Sequence, residues 1–351
     1  MDYRALVQKL GDRTNQNSQT SELILEHRTG HPIYIGITII VFFIIFLLLN
    51  IFYVTVVRYH DQEEYIKRGS CSLKKIDVAA FGSSYCRYAF NFDKTNKSGY
   101  NFGIVAQFLY YTDLMIRSFR KCYSDKAVIL IVLPDLVFAE PGKGKYGANR
   151  YVRFIDKTLL EDEYSLKNKI LLSYFPLFIP DIHNFKVCIK RILSYSASKN
   201  EYYTLRHNYI SKKENIVAAE KRCKDWCDEF HLENTISADI PLALYDKFEQ
   251  STTILTKIID YCLGENLRPI LVVTPLSSIM REKISQSFLD KVLYSNIKRA
   301  NIQGIPVLDY QNDERFSEID LYANNADFLN ARGRELFTNI VLDDIKNLYD
   351  R

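Results

Sequence analysis

The first stretch whose residue types suggest chemistry is Lys75 to Asn101, KIDVAAFGSSYCRYAFNFDKTNKSGYN. Its opening run, Ile76 to Phe81, is short, largely apolar and bounded by charge, as expected of a parallel strand buried on both faces. The run breaks at Gly82-Ser83-Ser84. In an open α/β sheet a small-residue turn at the carboxyl end of a strand is where ligand or catalytic groups are presented. Ser84 is therefore the candidate nucleophile. The competing reading is a helix cap, in which a serine hydroxyl accepts a backbone N–H.

A second constellation invites a metal reading. Cys223, Cys227 and His231 fall at i, i+4 and i+8 along one helical face. Structural zinc normally takes four ligands, and no fourth cluster lies nearby, so these read as a helix face carrying two apolar thiols. The seven cysteines follow no repeating framework and read as mostly free, buried thiols. No metal or organic cofactor is expected. A net charge of +4 spread along the chain argues against nucleic acid or another acidic polymer as partner.

One segment departs from this mixed composition. Ile33 to Val57 carries no charge and holds only Thr38, Asn50 and Thr55 as clearly polar residues. At 1.5 Å per residue it is long enough to cross about 30 Å of hydrocarbon. It is too long for a cleaved signal peptide, and no small-residue cleavage site follows. Arg4, Lys9, Arg13 and Arg28 precede it and Arg58, Lys67 and Arg68 follow it, so flanking charge does not set the orientation. Residues 1–32 read as a polar tail, 33–57 as a transmembrane helix and 58–74 as a charged connector.

Residues 75–351 alternate strand-like and helix-like segments. Strands are predicted at Ile76–Phe81, Ala127–Leu133, Pro269–Thr274 and Ile305–Asp309. Helices are predicted at Ala106–Cys122, Asp246–Leu263, Lys283–Asn301 and Asn330–Tyr349. Apolar strands separated by helices of this length indicate an α/β domain, a mostly parallel sheet covered on both faces in three α/β/α layers. Residues 140–245 break the rhythm and are expected to form a helical insertion over the carboxyl edge of the sheet, as a lid or partner surface.

The order FGSSYCRYAFNFDK…GYNFGIVAQ, ILVVTP, GIPVLDYQNDERFS, DFLNARGRELFT resembles the SGNH/GDSL hydrolase superfamily, which has a flavodoxin-like sheet. Within it, the order resembles the membrane-anchored, extracytoplasmic, DltD-like branch that also holds exopolysaccharide O-acetylation proteins. The likeness covers about residues 75–135 and 245–345. It implies Ser84 as nucleophile, opened by Gly82, with the oxyanion hole built from the Ser84 and Gly103 N–H groups and the Asn101 segment; for Asn101 the alternative is a plain turn residue. Leu133-Pro134-Asp135 stands where the family carries a further Asn donor. The C-terminal block departs most, with Asn325 at the position of the triad Asp and Phe328 at that of the triad His. Phe cannot accept a proton, and a serine hydroxyl without a base is a poor nucleophile. Asp327 is one substitute base; His183, His207 and His231 in the insertion are others.

Two functions follow from the resemblance. One is a catalytically degenerate, glycan-binding or scaffold protein of cell-envelope or exopolysaccharide modification, beside a membrane-bound O-acyltransferase. The other is an active serine esterase or O-acyltransferase using Ser84 on an extracytoplasmic glycan. Both place the protein in the cytoplasmic membrane with its C-terminal domain outside.

Overall fold

The computed structural model describes residues 33–57, 66, 75–93, 95, 98–142, 150–160, 165–178, 212–323 and 326–349. Near the N-terminus, α1 (Ile33–Thr55) is long and apolar enough to span a membrane, and almost none of it is buried by the rest of the protein. Its two threonines satisfy themselves: Thr38 and Thr55 hydroxyls donate to the carbonyls of Tyr34 and Ile51, each at 2.8 Å.

The α/β region is built on five parallel strands: β1 (Ile76–Phe81), β2 (Gly99–Asn101), β3 (Tyr123–Leu133), β4 (Arg268–Val273) and β5 (Val307–Asp309). Their order is β2-β1-β3-β4-β5, the arrangement of doubly wound, flavodoxin-like sheets. The central strands are almost wholly buried, including every residue from Ala127 to Leu133, which is why they read as continuous apolar runs rather than alternating ones.

Helices cover both faces. On one, α2 (Ser84–Ala89) packs against the last helix, α7 (Ala331–Tyr349). On the other, α3 (Leu109–Ser118) packs against α6 (Leu242–Gly264), which in turn meets the helical stretch ending at Ser295–Ala300. Within the predicted insertion at 140–245, the described residues include α4 (Leu166–Tyr174) and α5 (Lys212–Phe230).

Several boundaries differ from those expected. The helix predicted from Ala106 begins only at Leu109, because Ala106 adopts a left-handed φ of 56°. Strand β3 starts four residues before its apolar run, and its pairing with β1 slips between Ile76 and Val78, with Lys126 at φ 55°. Helix α6 starts at Leu242, four residues early, behind Pro241 at its N-cap, a position where a missing N–H costs nothing. The helix expected from Lys283 is interrupted by a π turn, Asp290–Tyr294.

Candidate functional site

Strands β1 and β3 are neighbours, but the helices that follow them lie on opposite faces of the sheet. The crevice beyond their carboxyl ends is the topological switch point, where open α/β sheets hold ligands. A cleft of about 350 Å³ opens there. Ser83 and Ser84 form its floor from the β1 side, and Pro134 and Leu136 from the β3 side.

The turn that delivers Ser84 depends on Gly82. Its φ is 149°, and an added Cβ would meet the Val132 carbonyl oxygen at 3.0 Å and the Cys86 Cβ at 3.1 Å, so only glycine suits this conformation. Ser83 occupies the N-cap of α2 in extended backbone, with no side-chain capping bond, and Ser84 is the first helical residue. The Ser84 hydroxyl makes no hydrogen bond among the described residues. It is therefore not consumed as a helix cap.

The expected oxyanion donors have other work. Asn101 Nδ2 donates to the carbonyls of Cys86 (3.0 Å), Arg87 (3.3 Å) and Phe90 (2.9 Å), tying down the C-terminal end of α2. Asn101 Oδ1 accepts from Gly103 N at 2.9 Å and from Cys86 Sγ at 3.3 Å. The Gly103 N–H is thus spent on Asn101, and neither residue lines the cleft. A Cβ at Gly103 would lie 2.6 Å from Arg87 N, so glycine is needed there for close packing against α2. The expected role of Asn101 and Gly103 in an oxyanion hole is corrected on this ground: both are scaffold. Ser84 N–H, in the first turn of α2, has no intrahelical partner and remains beside the hydroxyl.

At the other wall, an isolated antiparallel bridge between Tyr322 and Leu329 closes a tight loop. The loop is pinned by Ser277 Oγ donating to the Ala326 carbonyl at 2.7 Å, with Ala326 at φ 59°. It presents Phe328 to the cleft that Ser84 also lines. The Phe328 ring sits edge-on to Tyr85 (centroids 4.9 Å apart) and tilted against Tyr88 (5.1 Å), both residues of the Ser84 helix. An aromatic ring thus stands beside α2 where the resemblance places an imidazole. Asn325 lies outside the described residues, as do His183 and His207. His231 is exposed just beyond α5 with φ 55° and does not line the cleft.

Asp327 does not take up the base role. Its side chain is buried, and Oδ2 accepts from Tyr85 Oη at 2.8 Å and from Arg222 Nε at 2.7 Å, while Oδ1 has no partner among the described residues. Burial pushes its carboxyl above the usual range, against the pull of Arg222 and Tyr85. Arg222 is held above its ordinary value by Tyr85 and Asp327 despite its own burial. The guanidinium lies 5.3 Å from the Trp226 ring centroid and 5.7 Å from that of Phe328, within cation–π range.

The remaining wall comes from α5, where Arg222, Trp226, Glu229 and Phe230 face the cleft; their spacing puts them on one side of a helix. Glu140 faces it as well. Burial, aided by the nearby charge of Glu229, pushes the Glu140 carboxyl up to about 7 against Lys247 and Arg222. Below the floor, Asp135 is buried with Oδ2 unpartnered among the described residues. Burial raises it to about 7, Asp327 and Asp309 adding to the effect and Gln311 and Arg222 opposing it.

These wall residues were not singled out in the sequence. Asp135 was visible as a departure from the family block. Arg222, Trp226 and Glu229 recur at helical spacing beside Cys223 and Cys227, which attracted notice first. Those two thiols are partly buried against the core. No group of three or more His, Cys, Asp or Glu suited to a metal ion occurs among the described residues. No family model matches this chain, and no curated protein matches it.

Proposed function

We propose that this protein is a membrane-anchored, SGNH/GDSL-like domain that binds an extracytoplasmic glycan without cleaving or acylating it. It acts as a binding or scaffold partner in cell-envelope or exopolysaccharide modification, next to a membrane-bound O-acyltransferase. The observation that carries the reading is Phe328, an aromatic ring packed on Tyr85 and Tyr88 in the Ser84 cleft. A ring there offers a face for apolar contact and no lone pair for a proton. The rest of the lining supports a ligand with both apolar faces and many hydroxyls. Tyr85, Tyr88, Phe108, Trp226 and Phe230 supply rings; Glu140, Glu229 and Arg222 supply acceptors and donors. That mixture of apolar wall and few polar groups is the usual make-up of a small-molecule site.

The second reading, a serine esterase or O-acyltransferase, draws on one feature. Glu140, with its carboxyl pushed up to about 7, has the affinity for protons that a general base needs at neutral pH. One experiment separates the two. Full-length protein in detergent is exposed to a fluorophosphonate probe, alongside Ser84→Ala and Phe328→His. Binding is followed by the fluorescence of Trp226, which is the sole tryptophan of the chain and lies in the cleft. The binding reading expects no labelling of the wild type, labelling gained in Phe328→His, and a saturable fluorescence change with soluble oligosaccharides. Wild-type labelling that disappears in Ser84→Ala makes the protein an enzyme and overturns it. The side of the membrane is checked separately, by a C-terminal alkaline phosphatase fusion expected to be active only outside the cytoplasm.

A further inference from the structure

Asn50 is the most polar residue in an otherwise apolar helix, and a carboxamide in hydrocarbon is costly unless satisfied. Both halves of it are satisfied, but only one from within α1. Nδ2 donates to the Phe46 carbonyl at 2.8 Å. Oδ1 accepts from the backbone N–H of Leu177 at 3.1 Å, reaching across 127 residues. The contact continues on both sides. The rings of Phe46 and Phe178 are 4.5 Å apart, and Leu177 packs against Tyr53.

The partner segment, residues 166–178, is itself apolar on its outer side. Leu166, Ile170 and Tyr174 are 64%, 43% and 69% exposed, and Phe178 is 56% exposed. In α4 the first three recur at i, i+4 and i+8, one stripe of a helix. Leu172 instead packs against the core of the α/β domain. Lys167 and Lys169 are exposed beside the stripe, the composition of a helix lying in a membrane interface.

We propose that residues 166–178 enter the bilayer beside α1, as a second, non-spanning membrane contact clasped by Asn50. The inference rests on α1 spanning a membrane and is independent of what the cleft binds. Depth follows from the helix rise. Asn50 and Phe46 lie five and nine residues before Thr55, or about 8 and 14 Å inside the C-terminal end of α1. Residues that touch them are therefore at hydrocarbon depth in a layer about 30 Å thick. Irregular backbone at that depth must have its polar groups paired within the protein. The Pro176–Phe178 turn meets this demand twice: Pro176 has no N–H to satisfy, and the Leu177 N–H is taken by Asn50. The occupant of the exposed stripe is then lipid acyl chain, continuous with the lipid around α1.

The test uses the full chain reconstituted in phosphatidylcholine vesicles that contain a lipid with a diazirine in its acyl chain. After illumination, adducts are mapped by peptide mass spectrometry. Adducts are expected on peptides covering 33–55 and 166–178, and none on Leu242–Gly264. In Asn50→Leu, adducts on 166–178 should fall several-fold while those on 33–55 persist. Wild-type adducts confined to 33–55 would overturn the second contact and leave the anchor intact. Adducts on neither segment would reject the anchor and this inference together. Unchanged adducts on 166–178 in Asn50→Leu would overturn the clasp.

Discussion

Two buried polar side chains flank the same short helix, α2, and they are treated in opposite ways. Asn101, at its C-terminal end, uses its amide on three carbonyls and its oxygen on two donors. Asp327, beside its N-terminal half, pairs one oxygen with Tyr85 and Arg222, and among the described residues nothing meets the other. Asp135, beneath the same end of the cleft, also has an unpartnered oxygen. Full satisfaction marks scaffold, since a complete network fixes one geometry. A buried polar atom without a partner costs stability and calls for an explanation. The difference sets the Asn101 end of α2, held by a complete network, against the Asp327 end, which meets the cleft only through Tyr85 and Arg222.

The strongest way to break this contrast is Asn101→Ala. It removes the carboxamide that the Arg87 carbonyl and the Gly103 N–H both bond to and opens a hole behind α2. Losing a buried side chain that makes five hydrogen bonds should cost about 4 kcal/mol, in the range reserved for disrupted networks. Denaturant melts of the detergent-solubilised chain measure it. A loss under about 1 kcal/mol would show that Asn101 is not the scaffold element claimed.

Asp135→Asn should act in the other direction, and only at the higher pH. The folded state holds the Asp135 proton up to about 7, against an ordinary 3.8. Its stabilising effect is therefore complete below about pH 4 and is lost as pH rises toward 7. At pH 8 the wild type carries a buried carboxylate beside Asp327 and Asp309, and the amide variant does not. A gain of about 2 kcal/mol at pH 8, with little change at pH 4, is expected, below the ceiling of about 4 kcal/mol set by the full difference in proton affinity. Equal effects at both pH values would mean that Asp135 is paired in the fold and would weaken the contrast with Asn101.

The same contrast explains what was legible in the chain. Strands β1, β3, β4 and β5 and the Gly82-Ser83-Ser84 turn follow from local patterns: apolar runs, helical spacing and a glycine whose φ of 149° no other residue suits. Phe328 was placed by its block and does reach the Ser84 cleft. The five hydrogen bonds of Asn101 were not legible, because they depend on how α2 ends against β2, and adjacency in sequence carries no sign of that. The ion pair of Asp327 was hidden for a similar reason. Its partner Arg222 lies 105 residues away on α5, in a stretch with no strand–helix rhythm to place it. Long-range polar pairing was hidden, whereas periodic burial was visible.

The smallest predicted effect is the one that sharpens the comparison most. Ser84→Ala removes a hydroxyl that makes no hydrogen bond among the described residues, from a first helical position where alanine is well tolerated. Stability should therefore change by less than about 0.5 kcal/mol, the range of substitutions that break no named interaction. If Ser84 belongs to the binding surface, the same substitution should weaken the oligosaccharide response of Trp226 measurably, because a lost ligand hydrogen bond is worth about 0.5–1.5 kcal/mol, or about two- to tenfold in affinity. Scaffold behaves in the opposite sense, with Asn101→Ala losing stability and binding together. A Ser84→Ala variant that melts early and binds normally would place Ser84 with Asn101 and remove it from the site.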